Sequence, residues 1–143
     1  MTKIEILQSW YDEVWSKGNL NVIDHLLVPD ITANGVLTSI GLTREEFRDL
    51  VVAVRGLLQS IDVTLKQTVE QGDWLAALTE INAKRDDNGE PVSISSQVMV
   101  RFEGTRLAET HYQFDFFTMF EQLGQLPTDS LPICLTGQRL VWK

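Results

Sequence analysis

The sequence predicts an α+β domain: N-terminal helices packed on a cone-shaped, curved antiparallel sheet that encloses an apolar cavity. Two observations carry this. Apolar residues recur at helical spacing as far as Leu58 and at every second position from Ser60 onward. Helices first and strands after is the α+β order, and a curled sheet leaves a concave face for the helices to close. The 143 residues suit one domain, 1–143, able to bury about two-thirds of its unfolded surface.

The elements follow in order. Leu7, Trp10, Tyr11, Val14 and Trp15 form one stripe, so a helix is expected over about residues 3–17, opened by Thr2 with Glu5 and stopped by Gly18. A short second helix carries Leu20, Ile23, Leu26 and Leu27 on its inner side and ends at Pro29; a short strand is expected within 31–37. Thr43 with Glu46 opens a third helix, whose Phe47, Leu50, Val51, Val54, Leu57 and Leu58 face inward. Ile61, Val63, Leu65, Gln67 and Val69 then share one face of a strand. Gly72-Asp73 makes a turn into Trp74–Lys84, and Asp87-Asn88-Gly89 a turn into a strand over 92–102. Gly104-Thr105 suits a two-residue hairpin, and the last strand is expected from Arg106 to Thr118. The tail beyond Pro127 carries Leu135, Leu140, Val141 and Trp142, which suits packing on a partner or an added edge strand.

Composition narrows the function. A net charge of −8 argues against nucleic-acid backbone or anionic membrane as a partner, since both call for clustered Lys and Arg. No apolar run approaches the ~20 residues of a membrane span, and MTKIEILQSW has no signal-peptide core. The single Cys134 cannot form an internal bridge and reads as an incidental thiol in a reducing compartment. A cytoplasmic protein is expected.

The segment from Leu107 to Pro127 is the most informative. Glu109, His111, Gln113 and Asp115 recur at every second residue, so on a strand they share one face. That column faces water, pairs off, or lines a cavity, because an unpartnered buried polar group costs ~1–3 kcal/mol. With Gly104-Thr105 as the turn, Glu109 pairs with Val100, His111 with Val98, Gln113 with Ser96 and Asp115 with Ile94. Met99, Tyr112 and Phe114 then fall on the outer face, where they would form a homodimer surface. A β-bulge reverses this parity beyond itself.

An apolar wall with a few convergent polar groups suits a small hydrophobic molecule. Asp115, between Phe114, Phe116 and Phe117, is the candidate general acid/base, its pKa raised by lost solvation. His111 lies ~13 Å from it along the strand, so the two would act at different ends of a ligand. The remaining candidates are Gln113, Glu109, Val98, Phe117 and Asn34, with Trp10 or Tyr11 reaching the rim. Each polar member also has a structural reading: Glu109 as an ion-paired edge residue, His111 as a hydrogen-bonded histidine, Gln113 as a partner of backbone or of Ser96.

These segments carry a resemblance. YDEVWSKGNLNVIDHLLVPDI resembles the opening of nuclear transport factor 2-like domains. LAETHYQFDFFTMFEQLGQLP resembles the end of the SnoaL-like polyketide cyclases of that superfamily, which have a Glu, an Asp six residues later, and a Gln-Leu-Gly-x-Leu-Pro tail. Glu109, Asp115 and Gln122-Leu123-Gly124-Gln125-Leu126-Pro127 meet that spacing. The resemblance spans residues 3 to about 127. It implies a deep-cavity α+β cone, commonly dimeric, and an intramolecular aldol closure in which Asp115 moves the proton without metal or cofactor. His111 stands where the family usually has tryptophan, and Asn88-Gly89-Glu90-Pro91 replaces its Pro-Thr-Gly stretch. Tyr11 resembles the helix-1 tyrosine of ketosteroid isomerases, but their base would fall near Asn34-Gly35, neither of which is a carboxylate. The expected function is therefore a cofactor-independent cyclase or isomerase acting on a small hydrophobic carbonyl compound. The alternative is a non-catalytic binding or dimeric interaction domain of the same fold.

Overall fold

The first and third helices in the computed structural model, which describes residues 1–34 and 43–141, begin where the sequence places their caps. Thr2 Oγ1 accepts the Glu5 N–H at 3.1 Å and opens α1 (Lys3–Trp10). The helix continues as a π-helical turn, Tyr11–Ser16, closed by Lys17 N–H on Asp12 O. Gly18 ends it at φ +72°, where a Cβ would lie 2.3 Å from the Arg55 guanidinium. That guanidinium donates to the carbonyls of Trp15 and Ser16, satisfying the helix end. After a 3-10 turn, Leu20–Val22, come α2 (Ile23–Leu26) and β1 (Leu27–Asn34). Pro29 therefore lies inside a strand rather than ending a helix. An edge strand tolerates it, because no neighbour needs its missing N–H. The rest of the strand expected within 31–37 lies outside the described residues. Thr43 and Glu46 form a reciprocal capping box at the start of α3 (Arg44–Leu57).

The chain then makes β2 (Leu58–Gln71), β3 (Trp74–Arg85), β4 (Pro91–Glu103) and β5 (Arg106–Phe114), followed by α4 (Phe116–Gln122) and α5 (Ser130–Leu135). The five strands form one curved, unclosed sheet in the order β1-β5-β4-β3-β2. Neighbours are antiparallel except β1 and β5, which run parallel. The helices cover its concave face. Leu7, Val14, Ile23, Val51, Leu75, Val100 and Leu107 make one core cluster. Leu58, Val63, Ile81, Val92, Ile94 and Met119 make a second. No helix among the described residues is long and apolar enough to cross a membrane.

Two bulges overturn expected faces. The β2–β3 register shifts between Leu65 and Gln67, so Lys66 is the extra residue. Thr68 takes the half-buried inner position, while Gln67 and Val69 turn to the exposed outer face instead of continuing the Leu65 stripe. The β4–β5 register shifts between Arg101 and Phe102: Phe102 faces Leu107 but Arg101 faces Glu109, leaving Ala108 extra. Leu107 and Ala108 are both buried, each 2% exposed. Two apolar neighbours in succession cannot both face the core on a regular strand, and the bulge resolves that conflict.

The last strand also stops earlier than expected, at Phe114 rather than Thr118. Asp115 accepts the Thr118 N–H at 3.0 Å and the Thr118 hydroxyl at 2.6 Å, which caps α4. The tail forms α5 rather than an edge strand, and Leu131, Leu135, Leu140 and Val141 are exposed on it.

Candidate ligand cavity

Between the helices and the concave face lies a cavity of about 580 Å³, within the range of small-molecule sites. Its walls follow from the strand parity just described. From β4 it takes Ser96, Val98 and Val100; from β5 it takes Thr110, Tyr112 and Phe114. These pair directly, Ser96 with Phe114, Val98 with Tyr112 and Val100 with Thr110. The first helix contributes Leu7, Trp10, Tyr11 and Trp15, and α3 contributes Phe47, Leu50 and Val54. Phe47 orders one side, stacking on Trp10 at 6.0 Å and meeting Trp15 edge-on at 6.1 Å. Phe116 and Met119 of α4 complete the other end.

The π-helical turn sets what the first helix presents. Tyr11 and Trp15 both reach the cavity while Val14 between them is fully buried in the core. Such turns are rare and often occur at functional sites. Burial pushes the Tyr11 phenol above its ordinary pKa, so it is a neutral hydroxyl donor. It makes no hydrogen bond to any described residue. Ser16 Oγ alone is a fully enclosed side-chain polar atom without a partner among the described residues. The Tyr11 side chain is part of the cavity wall.

Of the sequence-predicted residues, Trp10, Tyr11 and Val98 line the cavity. The polar column does not. Glu109, His111 and Gln113 stand on the outer face opposite Arg101, Met99 and Gln97, not opposite Val100, Val98 and Ser96. Conversely Tyr112 and Phe114, expected outside, face in. The single bulge at Ala108 accounts for both corrections. Asp115 is exposed at the α4 cap and outside the cavity walls, although its neighbours Phe114 and Phe116 belong to them. Phe117 is half-buried and lines no part of it. The Asn34 backbone pairs with His111 at the sheet edge, and its side chain lies outside the described residues.

On the outer face the column forms an ion-paired row. His111 Nε2 meets Glu109 Oε2 at 2.5 Å, Arg101 Nε donates to Glu109 Oε1 at 3.4 Å, and Arg101 Nη1 donates to Glu103 at 3.1 Å. The Trp74 ring leans on His111 at 6.0 Å. The hydrogen bond from His111, with a smaller contribution from Arg101, holds the Glu109 carboxyl below the usual carboxylate range. The structural reading of Glu109 is the one this geometry matches.

Sequence reasoning placed Thr110 and Tyr112 on the outer face because one residue of slippage inverts a strand's faces, whereas Ser96, set on the inner column of β4, does line the cavity. It also missed Arg44, which lines the cavity from the first position of α3. The capping box marked that position; nothing in the spacing marked its direction. Among the described residues no three His, Cys, Asp or Glu side chains converge as a metal site.

The comparisons agree with this architecture. The SnoaL-like polyketide cyclase family profile matches residues 5–123. Among solved structures, IdmH of Streptomyces antibioticus, described as a candidate polyketide cyclase, is 20% identical with a TM-score of 0.72, over 87% of this chain and 99% of that one. A candidate polyketide cyclase of Bacillus cereus is 15% identical with a TM-score of 0.74, over 86% and 80%. A Catenulispora acidiphila protein with a ketosteroid isomerase-like fold, solved with trimethylamine, is 20% identical with a TM-score of 0.69, over 90% and 98%. At these identities the structures establish a shared fold. No curated protein matches the chain.

Proposed function

The chain belongs to the SnoaL-like polyketide cyclase family, and from that premise we propose that it binds a small, mostly apolar carbonyl compound in its cavity. The carrying observation is the Tyr11 phenol, without a hydrogen-bond partner among the described residues, in a cavity walled mostly by apolar and aromatic side chains. A carbonyl oxygen on the ligand gives that phenol its acceptor, and an apolar body fills the remaining space. A neutral hydrogen bond of this kind is worth ~0.5–1.5 kcal/mol. Tyr11→Phe is therefore expected to weaken a ketone ligand such as 2-acetylnaphthalene several-fold and leave 2-ethylnaphthalene unchanged, read by quenching of tryptophan fluorescence. Equal losses for both ligands would remove the phenol from the account.

Cyclase or isomerase chemistry on the bound ligand, with Asp115 as general acid/base, is the second reading. The spacing of Glu109, Asp115 and the Gln122–Pro127 tail supports it. It requires the Asp115 carboxylate to exchange its Thr118 partners for the ligand. Asp115→Asn should then abolish turnover while binding persists; undiminished turnover would end this reading.

We further propose that two copies pair through the outer sheet face, in a reducing, cytoplasmic setting that suits the unpaired Cys134 thiol. Val69, Leu78 and Met99 are 62%, 42% and 48% exposed there. Arg101 and Lys66 lie among Glu80, Glu103 and Glu109, a mixture of signs that an isologous contact can satisfy against itself. Sedimentation at rising concentration tests it, with Met99→Glu expected to hold the chain as a monomer.

A further inference from the structure

We infer that the cavity selects apolar acids, an apolar body carrying a carboxylate that docks on the Arg44 guanidinium. This rests on the ligand-binding reading above and names the class of ligand. Among the described cavity-lining residues Arg44 is the one with a formal charge; the other polar members are hydroxyls, Thr43, Tyr11, Ser96, Thr110 and Tyr112.

Arg44 is held in place from behind. Nη1 donates to Asp24 Oδ1 at 3.0 Å, and Nη2 donates to the Val28 carbonyl at 2.9 Å and, more weakly, to that of Pro29 at 3.5 Å. A guanidinium has five N–H donors. The one on Nε and the second on Nη1 make no hydrogen bond to the described residues. Among the described residues charge is also left over: Asp24 is shared with Arg48, whose Nη2 donates to Oδ2 at 2.7 Å. Two cations thus face one carboxylate, which is 59% exposed and outside the cavity walls. The nearby Glu46 is committed to the Thr43 cap, and Glu45 is exposed on the first turn. The first turn of the 14-residue α3 points the same way in sign, since its N-terminus favours anions. A cationic ligand would find no carboxylate among the described wall residues, whereas a carboxylate finds a pre-oriented planar donor next to apolar surface.

The test compares isosteric pairs by tryptophan fluorescence: 2-naphthoate with 2-naphthamide, and dodecanoate with dodecanamide. The wild-type protein should bind each acid about tenfold or more tightly than its amide, the expected size for a charge-assisted hydrogen bond over a neutral one. Arg44→Met should erase the preference and Arg44→Lys restore part of it. Asp24→Asn, which removes the competing charge from an exposed position, should enlarge the preference, and it keeps the question answerable if Arg44→Met does not fold. Acid and amide binding equally well, or a preference that survives Arg44→Met or shrinks in Asp24→Asn, overturns this inference and leaves the cavity reading standing. Binding of neither member of either pair overturns both.

Discussion

Arg101 and Glu109 stand directly opposite each other on β4 and β5, with Arg101 Nε 3.4 Å from Glu109 Oε1. They meet because Ala108 is one residue more than β4 has partners for. Without that bulge Glu109 would face Val100, inside. With it, the carboxylate, His111 and Gln113 pass to the outer surface, while Thr110, Tyr112 and Phe114 enter the cavity. The contribution of β5 to the cavity follows from this one insertion. Among the described wall residues the polar side chains with a hydroxyl or a charge are five hydroxyls and one arginine.

The Tyr11 phenol gives the protein an alkaline limit. Burial raises its folded pKa above the ordinary value of about 10. Below that value the phenol is protonated in folded and unfolded chains alike, and its contribution to stability is constant. As pH rises further, unfolded chains release the proton and folded ones do not, so stability falls until the folded pKa is reached. Urea unfolding at about pH 9 and about pH 11 should show a loss in the wild-type protein that is smaller in Tyr11→Phe. Equal losses would mean that Tyr11 is not buried as described.

Asp115 acts on stability through its cap. Asp115→Ala should cost ~0.5–2 kcal/mol, and Asp115→Asn distinctly less, because Asn also caps well. Chemical denaturation of the three proteins checks it. Identical stability of Asp115→Ala and the wild-type protein would show that the bonds to Thr118 contribute nothing.

Two leucines on β3 separate the faces of the sheet energetically. Leu75 is 0% exposed and Leu78 42%. Leu75→Ala should cost ~2–5 kcal/mol, and Leu78→Ala should fall within ~0.5 kcal/mol of the wild type, measured on monomer at low protein concentration. Comparable costs at both positions would contradict the assigned faces.

How much of this was legible in the sequence depends on how local its determinants are. Thr2, Thr43 with Glu46, and Gly18 announced helix limits because caps act within one turn. The alternation of β4 from Val92 to Phe102 was readable because that strand has no bulge before Arg101. The β5 faces were not readable in the same way, since a bulge depends on pairing with a distant strand. The Leu107-Ala108 pair was its one local trace: two apolar residues in succession just after the turn. Asp115-Phe116-Phe117-Thr118 looked like strand because three phenylalanines flank the Asp, yet Phe116, Met119, Phe120 and Leu123 recur at helical spacing and the Asp-to-Thr118 bond closes a cap. Arg44 was announced as a helix start and not as a wall, because its direction is set by Asp24 and the Val28 carbonyl.

Thiol labelling reads out whether β5 presents its odd-numbered polar residues outward and Tyr112 inward. In a Cys134→Ser background, which removes the exposed native thiol, the His111→Cys and Tyr112→Cys proteins would be labelled with and without 2-acetylnaphthalene. The thiol of His111→Cys should react readily and at the same rate in both conditions. The thiol of Tyr112→Cys should react more slowly and be slowed further by the ligand. Protection at 111 and indifference at 112 would restore the unbulged register and contradict the account.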